Sequence, residues 1–382
     1  MIRMLTAYTE ELLDTEAAST AILAQLDLNR NLARHAVGIL SCMTEFVETG
    51  IVQALCDRLP FDVVGCTTLG TTVQGVIQPL ILTVTVLTSE DVFFAAGITG
   101  PLEGNLAPMD ALYEELLKVL PEKPSLLMPF APFMFIGGNE FVERLDTLSG
   151  GLPLFGMLAI AQNPNVGGTY TFYNGTCKTN ALGLLAFSGP VDPLFLVSSI
   201  PQERIISPQA IVTAADKNVL HRVNDISALE YLKSFGMVEN GEIEGSETMP
   251  LVLELSDGSR VARACISITP EGSVVCGSEV PVGVGLSIAS IDFDDIVKSA
   301  ALVTQQAVQK AQGRNLFMIS CAARYYALGT DLYAEMEKVA ACIQGSRPYH
   351  FSYSGGEICP ILNRSGKLTN QFHNDTLIVC IL

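Results

Sequence analysis

The 382-residue sequence contains no Trp, only four His, and 22 Lys and Arg against 40 Asp and Glu, giving a formal net charge of −18. Each shortage removes a class of function. Nucleic-acid binders need a basic face that displaces counterions from phosphates, so nucleic acid is excluded as a partner. Anionic lipid headgroups repel the same acidic surface. No Cys-x-x-Cys occurs among the ten Cys, which argues against a structural zinc or iron–sulfur site. Ten is also too few for a disulfide scaffold in a chain of this length. Most of them, including Cys42, Cys66, Cys265, Cys276, Cys321 and Cys380, sit inside apolar runs, where a buried thiol in a reducing cytoplasm is the ordinary case. The N-terminus turns acidic at Glu10 and Glu11 and lacks the basic start, apolar middle and small-residue cleavage site of a signal peptide. We expect a cytoplasmic protein.

Long uninterrupted apolar runs are missing too, although 49% of residues are hydrophobic and the mean hydropathy is +0.37. The longest, 126–138 and 151–161, are broken by Pro129, Pro132 and Pro153. They fall short of the roughly 18–20 residues of a spanning helix, so no membrane is expected. The remaining source of hydrophobicity is strands covered on both faces, which makes the fold class α/β. The sequence also lacks a Gly-x-x-x-x-Gly-Lys-Ser/Thr loop, a Gly-x-Gly-x-x-Gly helix opening, a Gly-x-Ser-x-Gly elbow and a His-Glu-x-x-His pair. Their absence points away from an enzyme.

What is present is repetition. An acidic amphipathic helix over 10–26 precedes a strand at 36–42, a helix at 44–59, a strand at 62–67, a Gly-rich turn and a strand at 80–87. The same order returns as strand 125–130, helix 140–148, strand 152–161, a Gly-rich turn and strands 169–173 and 180–187. It returns again as strand 315–321, helix 331–344, strand 348–353, a Ser-Gly-Gly-Glu turn and strand 376–381. The first two strands of each copy should be parallel. Between the second and third copies, Ile200–Pro208 reads as a connector. Segments 210–214 and 219–223 can pair around Asp216-Lys217-Asn218, and Ser227 with Glu230 forms a helix-opening capping box. Strands at 251–255, 261–268, 274–276 and 285–289 and a helix at 292–312 follow. The expectation is two layered domains, 1–200 and 201–382, built from repeated β-α-β-β units with mixed sheets.

The densest polar cluster among permissive residues is C-terminal: Tyr353-Ser354-Gly355-Gly356-Glu357 leaves one strand and His373-Asn374-Asp375-Thr376 enters another. Two glycines before an acid let the main chain approach a ligand closely. Arg324, at the end of another strand of this copy, should share the carboxyl edge where open α/β sheets bind ligands. Glu357 either recognises a ligand amine or caps the turn. Arg324 either clamps a carboxylate bidentately or pairs with Glu357. His373 either pins the hairpin or acts on a ligand. Cys321 is either a buried thiol or a nucleophile with His373 as its base. His350 and His373, with Tyr349 and Tyr353 nearby, are the candidates for an axial haem ligand.

Gly356-Glu357-Ile358-x-Pro360, then Phe372-His373-Asn374-x-Thr376 and an apolar strand, resembles the C-terminal part of the FIST family of sensory domains. Ser320-Cys321-x-x-Arg324 and Val223-Asn224-x-x-Ser227-Ala228-Leu229-Glu230-Tyr231-Leu232 resemble that family's C-terminal domain as well. Val64-Gly65-Cys66-Thr67-Thr68-x-Gly70 and Leu152-Pro153-Leu154-Phe155-Gly156-x-Leu158-Ala159 resemble its N-terminal domain. The resemblance implies a cytoplasmic receptor for a small, amino-acid-like molecule, signalling to a separate partner such as a sensor kinase or a cyclic-dinucleotide enzyme. Some family members bind haem and sense nitric oxide. Thr71 and Gln162 stand where the family often carries acids, which turns attention to the C-terminal domain. The expected ligand set is Arg324, Tyr353, Gly356, Glu357, His373, Asn374 and Thr376, with no cofactor. Two alternatives are a haem sensor ligated through His350 or His373, and a hydrolase or transferase using Cys321 or Glu357 with His373.

Overall fold

The computed structural model describes all residues except 103, 134–137, 163–167, 199, 346 and 364. Strand alternation organises it around three sheets. In Leu316–Cys321, Phe317 and Ile319 face one core while Leu316 and Met318 face another, the period of two expected of a strand covered on both sides. The first sheet runs in the order Arg3–Thr9, Leu82–Ser89, His35–Cys42, Val63–Thr67, Thr171–Tyr173, Thr176–Lys178. The second runs Leu368–His373, Glu357–Leu362, Gly156–Leu158, Pro124–Ala131, Gly183–Ser188, Phe93–Ile98. The third runs Leu194–Val197, Leu377–Ile381, Leu316–Cys321, Tyr349–Ser354, Thr71–Val73.

The inner faces of all three sheets meet in one core. Val37, Ile39 and Val64 come from the first, Leu126, Met128 and Phe130 from the second, and Phe317, Ile319 and Ile378 from the third. Each outer face lies under helices: Thr15–Leu26 and Ile51–Cys56 on the first, Ala107–Val119 and Gly138–Ser149 on the second, Phe293–Ala311 and Ala334–Ile343 on the third. In each sheet one parallel pair marks a copy of the repeat: His35–Cys42 with Val63–Thr67, Pro124–Ala131 with Gly156–Leu158, and Leu316–Cys321 with Tyr349–Ser354. The parallel pairing read from the sequence is thus present in all three copies.

Residues 210–288 form a separate antiparallel sheet. The run 260–268 bends at Ala264, so that Arg260–Arg263 pairs with Leu251–Glu254 while Cys265–Ile268 pairs with Val274–Cys276. That bend closes the sheet on itself as a small barrel, filled by Val212, Leu220, Leu253, Val261, Val274 and Leu286. The hairpin around Lys217, which takes φ +51, and the Ser227–Glu230 capping box form as expected. Asp292 caps the returning helix through Asp295.

The chain leaves the three-sheet body after Leu194–Val197, makes the barrel, and returns with Phe293–Ala311 against the third sheet. The barrel is therefore an insertion, and the second and third sheets each combine strands from before and after residue 200. Other differences from the sequence reading are local. The helix expected over 44–59 is two, Thr44–Glu48 and Ile51–Cys56, parted at Gly50 with φ +79. The strand expected over 152–161 narrows to Gly156–Leu158. Strands Arg3–Thr9 and Phe93–Ile98 and helices Ala107–Val119 and Ala322–Ala327 were not foreseen. The Gly-rich turn after Ala161 and the end of the apolar run 126–138 fall largely outside the described residues. Among the described residues no helix is long and apolar enough to cross a membrane.

Candidate functional site

A cavity of about 560 Å³ opens where the barrel meets the body. The barrel supplies Cys265, Ile266, Val275 and Cys276, the end of strand Gly156–Leu158 and the residues after it supply Leu158 and Ile160, and helix Ala322–Ala327 adds Tyr326, with Cys321 just before it. Gly355 completes the wall. A Cβ there would stand 2.5 Å from the Phe133 ring and 3.1 Å from the Ala159 carbonyl oxygen, so this glycine lets Phe133 lie along the cavity. At Gly356, with φ +159, a Cβ would meet the Phe372 ring at 2.2 Å. The second glycine therefore serves packing of the hairpin.

The polar wall comes from segments far apart in sequence. Lys217 of the barrel turn reaches Glu140 of Gly138–Ser149 at 2.7 Å, and both line the cavity with Glu247. Asn374 is 3% exposed and also lines it, and its Oδ1 has no hydrogen-bond partner. Its amide lies against the barrel, because a Cβ on Gly277 would stand 2.9 Å from that oxygen. Next to it Asp375 takes a left-handed conformation, φ +56, and is 2% exposed with neither carboxylate oxygen partnered. Burial pushes Asp375 up to about 7, against the pull of Arg324 and with an added push from Glu247.

Of the residues expected to bind a ligand, the structure brings only Asn374 to the cavity wall, together with Gly355 and Cys321. Arg324 does not pair with Glu357. Its Nε and Nη2 donate to Oε1 of Glu335 at 2.9 and 2.5 Å, and Nη2 also reaches the Ile296 carbonyl and Ser299 Oγ. Ser320 donates to the other Glu335 oxygen at 2.8 Å, so the pair is closed within the protein. Tyr353 packs edge-on against Tyr325 and Phe351 beneath the helices. Glu357 is fully buried, with Ser354 donating to one oxygen at 2.6 Å and Thr376 to the other at 2.9 Å. Burial pushes Glu357 up to about 8 despite those two hydroxyls, which favours its protonated form at neutral pH.

The imidazoles are internal as well. His373 donates from Nε2 to the Cys359 carbonyl at 3.0 Å and burial pulls it down to about 4. No described hydrogen bond joins it to Cys321. His350 stacks on Phe317 at 4.2 Å between the sheets, with Nδ1 at 2.9 Å from Thr85 Oγ1 and Nε2 at 2.7 Å from Ser352 Oγ. Burial pulls it down to about 3. No His lines the cavity among the described residues. The residues present therefore do not fit a histidine-ligated haem. No group of three or more described His, Cys, Asp or Glu is placed to hold a metal ion.

Lys217, Glu140, Glu247, Cys265 and Cys276 were missed as cavity residues by the sequence reading. Asp375 was hidden at the variable position of Phe372-His373-Asn374-x-Thr376. Only the turn Asp216-Lys217-Asn218 and the Asn-x-Thr stretch carried a local signal.

The fold and site define a mixed α/β body with an inserted β-barrel and a ligand-sized cavity at their junction. The FIST N domain matches residues 36–226 and the FIST C domain matches residues 228–360. The chain belongs to the FIST family, whose domains are associated with sensory signalling and small-ligand binding. No curated protein matches it. Among solved structures, PurLQS from Thermotoga maritima aligns at 10% identity over 100% of this chain and 72% of that one, with a TM-score of 0.20. A similarity of that degree carries no inference about fold or function.

Proposed function

We propose that this chain is a cytoplasmic receptor for a small amine-bearing metabolite, amino-acid-like in size and charge, bound between barrel and body. The observation that carries the reading is Asn374, a buried residue of the cavity wall whose Oδ1 has no hydrogen-bond partner. A buried acceptor left without a donor costs about 1–3 kcal/mol, and a ligand N–H placed there recovers it. Glu247 favours an ammonium group at the same wall, and Lys217 offers a cation for a ligand carboxylate, in exchange with Glu140. The volume of about 560 Å³ falls within the range of roughly 300–1,000 Å³ usual for small-ligand pockets. A net charge of −18 disfavours polyanions and leaves zwitterions and neutral molecules. The catalytic reading loses support because His373 is committed to the Cys359 carbonyl. The signal would pass to a separate partner, such as a sensor kinase or a cyclic-dinucleotide enzyme, through a change in how the barrel sits on the body.

The test is a thermal-shift screen with the free amino acids and simple amines. A binder raises the melting temperature by mass action, about 2.7 kcal/mol at a hundredfold excess over Kd. Asn374→Leu should abolish the shift and Glu357→Gln should retain it. A shift that survives both Asn374→Leu and Glu247→Gln places the ligand elsewhere.

A further inference from the structure

Cys265 and Cys276 stand directly opposite each other on adjacent antiparallel strands of the barrel, so their side chains share one face. The Gly277 amide bonds the Ala264 carbonyl at 2.8 Å, just outside this pair. That makes Cys265 and Cys276 a non-hydrogen-bonded pair, the closer of the two kinds, with Cα atoms about 4.5 Å apart. A disulfide needs Cα atoms at roughly 4.4–6.8 Å. Both thiols are free and both residues line the cavity, with their side chains packed in the barrel core, Cys265 4% and Cys276 1% exposed. The third cavity thiol, Cys321, pairs in register with Ser354 and has no cysteine opposite it.

We propose that Cys265 and Cys276 are a reversible redox pair, oxidised by a small disulfide that enters the cavity and reduced by a small thiol. The neighbouring Cys276 and burial push the Cys265 thiol well up, so the attack on one sulfur of the reagent comes from the small thiolate fraction that has given its proton to solvent. The reagent's S–S bond breaks, a mixed disulfide forms on Cys265, and one thiolate leaves and takes up a proton. The Cys276 thiolate then attacks the Cys265 sulfur and expels the second thiolate. The protein has lost two protons and two electrons, and the reagent has become two thiols. Transient disulfides of this kind are the redox-sensing type in reducing compartments. The oxidised cavity wall loses two S–H groups and is braced beside the bend at Ala264 that closes the barrel, so the binding site reports redox state as well as ligand. The proposal does not depend on what the cavity binds.

The experiment equilibrates the full chain with graded ratios of oxidised to reduced glutathione, alkylates the remaining thiols and maps the product by peptide mass spectrometry. The expected result is one internal disulfide, a loss of two hydrogen atoms, joining the Cys265 and Cys276 peptides and disappearing again in excess reduced glutathione. Cys276→Ala should prevent it and Cys321→Ala should leave it intact, with circular dichroism confirming that both variants are folded. A bond that maps to Cys321, or a folded wild-type chain that gives only a stable glutathione adduct or no disulfide, overturns the proposal. The wild-type map decides even where a variant fails to fold. Because mass reads the disulfide and thermal shift reads the ligand, either idea can fail while the other stands.

Discussion

Arg324 places two of its N–H groups on a single oxygen of Glu335 while Ser320 holds the other oxygen, and both charged side chains are shut away from solvent. Burial alone disfavours the guanidinium charge, but the Glu335 charge and its hydrogen bonds outweigh that penalty and hold Arg324 above its ordinary value. The pair ties the end of Leu316–Cys321 to helix Ala334–Ile343 and, through the Ile296 carbonyl, to helix Phe293–Ala311. Removing either partner leaves a buried charge alone, so Glu335→Gln and Arg324→Ala should each lose about 3–5 kcal/mol in denaturant unfolding. The cavity should keep its ligand in whatever fraction stays folded. Loss of binding without loss of stability would return Arg324 to the binding site.

Stability should fall as the pH rises from 6.5 to 8. Glu357, ordinarily near 4.5, and Asp375, ordinarily near 3.8, are raised to about 8 and about 7 in the folded chain. Across that window the folded chain holds protons that the unfolded chain has released, so rising pH favours unfolding. His350 and His373 act on the acid side. They remain neutral in the fold down to about 3 and about 4 but protonate near 6.5 when unfolded, so below 6.5 their loss of stability offsets the gain from the two acids and the pH dependence flattens. A melting series should therefore decline above 6.5, and Glu357→Gln should flatten that limb by removing one of its two acids. An unchanged slope in the variant would remove Glu357 as the cause.

Gly355→Ala tests how the cavity is shaped. The new methyl would press on the Phe133 ring and the Ala159 carbonyl, and Phe133 can yield only by moving along the cavity wall. A loss of about 1–3 kcal/mol is expected, together with a change in ligand preference toward smaller molecules in the thermal-shift screen. Unaltered preference would mean that Phe133 does not bound the occupied space.

Lys217→Ala separates ligand binding from fold stability. Its ion pair with Glu140 faces solvent, with the lysine side chain 73% exposed, and such pairs contribute little to folding. The melting temperature should hardly move. Calorimetry should show weaker binding of zwitterions and little change for simple amines, since only a carboxylate has use for the lysine.

The parts of the fold that were legible are those whose signal is local. The parallel pairs of the three copies follow from apolar runs such as Val63–Thr67 and Leu316–Cys321, and the capping box follows from Ser227 and Glu230 alone. Barrel closure was not legible, because Ala264 carries no mark distinguishing a bend from a continuous strand. Glu335 looks like any acid in the first turn of a helix, and only tertiary packing makes it the partner of Arg324. Glu357 was singled out with two readings, a ligand amine or a cap on its turn, and its oxygens are taken by Ser354 and Thr376, neighbours in sequence or register, in keeping with the second. Of the expected ligand set, Asn374 alone stands on the cavity wall, beside a strand end. Glu140, Lys217 and Glu247 meet it only because an inserted barrel lands on the body, a juxtaposition that spacing within one segment does not encode.

The insertion also sets an order of assembly. Gly156–Leu158 pairs on one side with Pro124–Ala131, and on the other side it waits for Glu357–Leu362. During synthesis that strand edge stays open until most of the chain has left the ribosome, whereas all strands of the barrel emerge consecutively. The barrel can thus close early and locally, while the body, dominated by distant pairings, closes late and slowly.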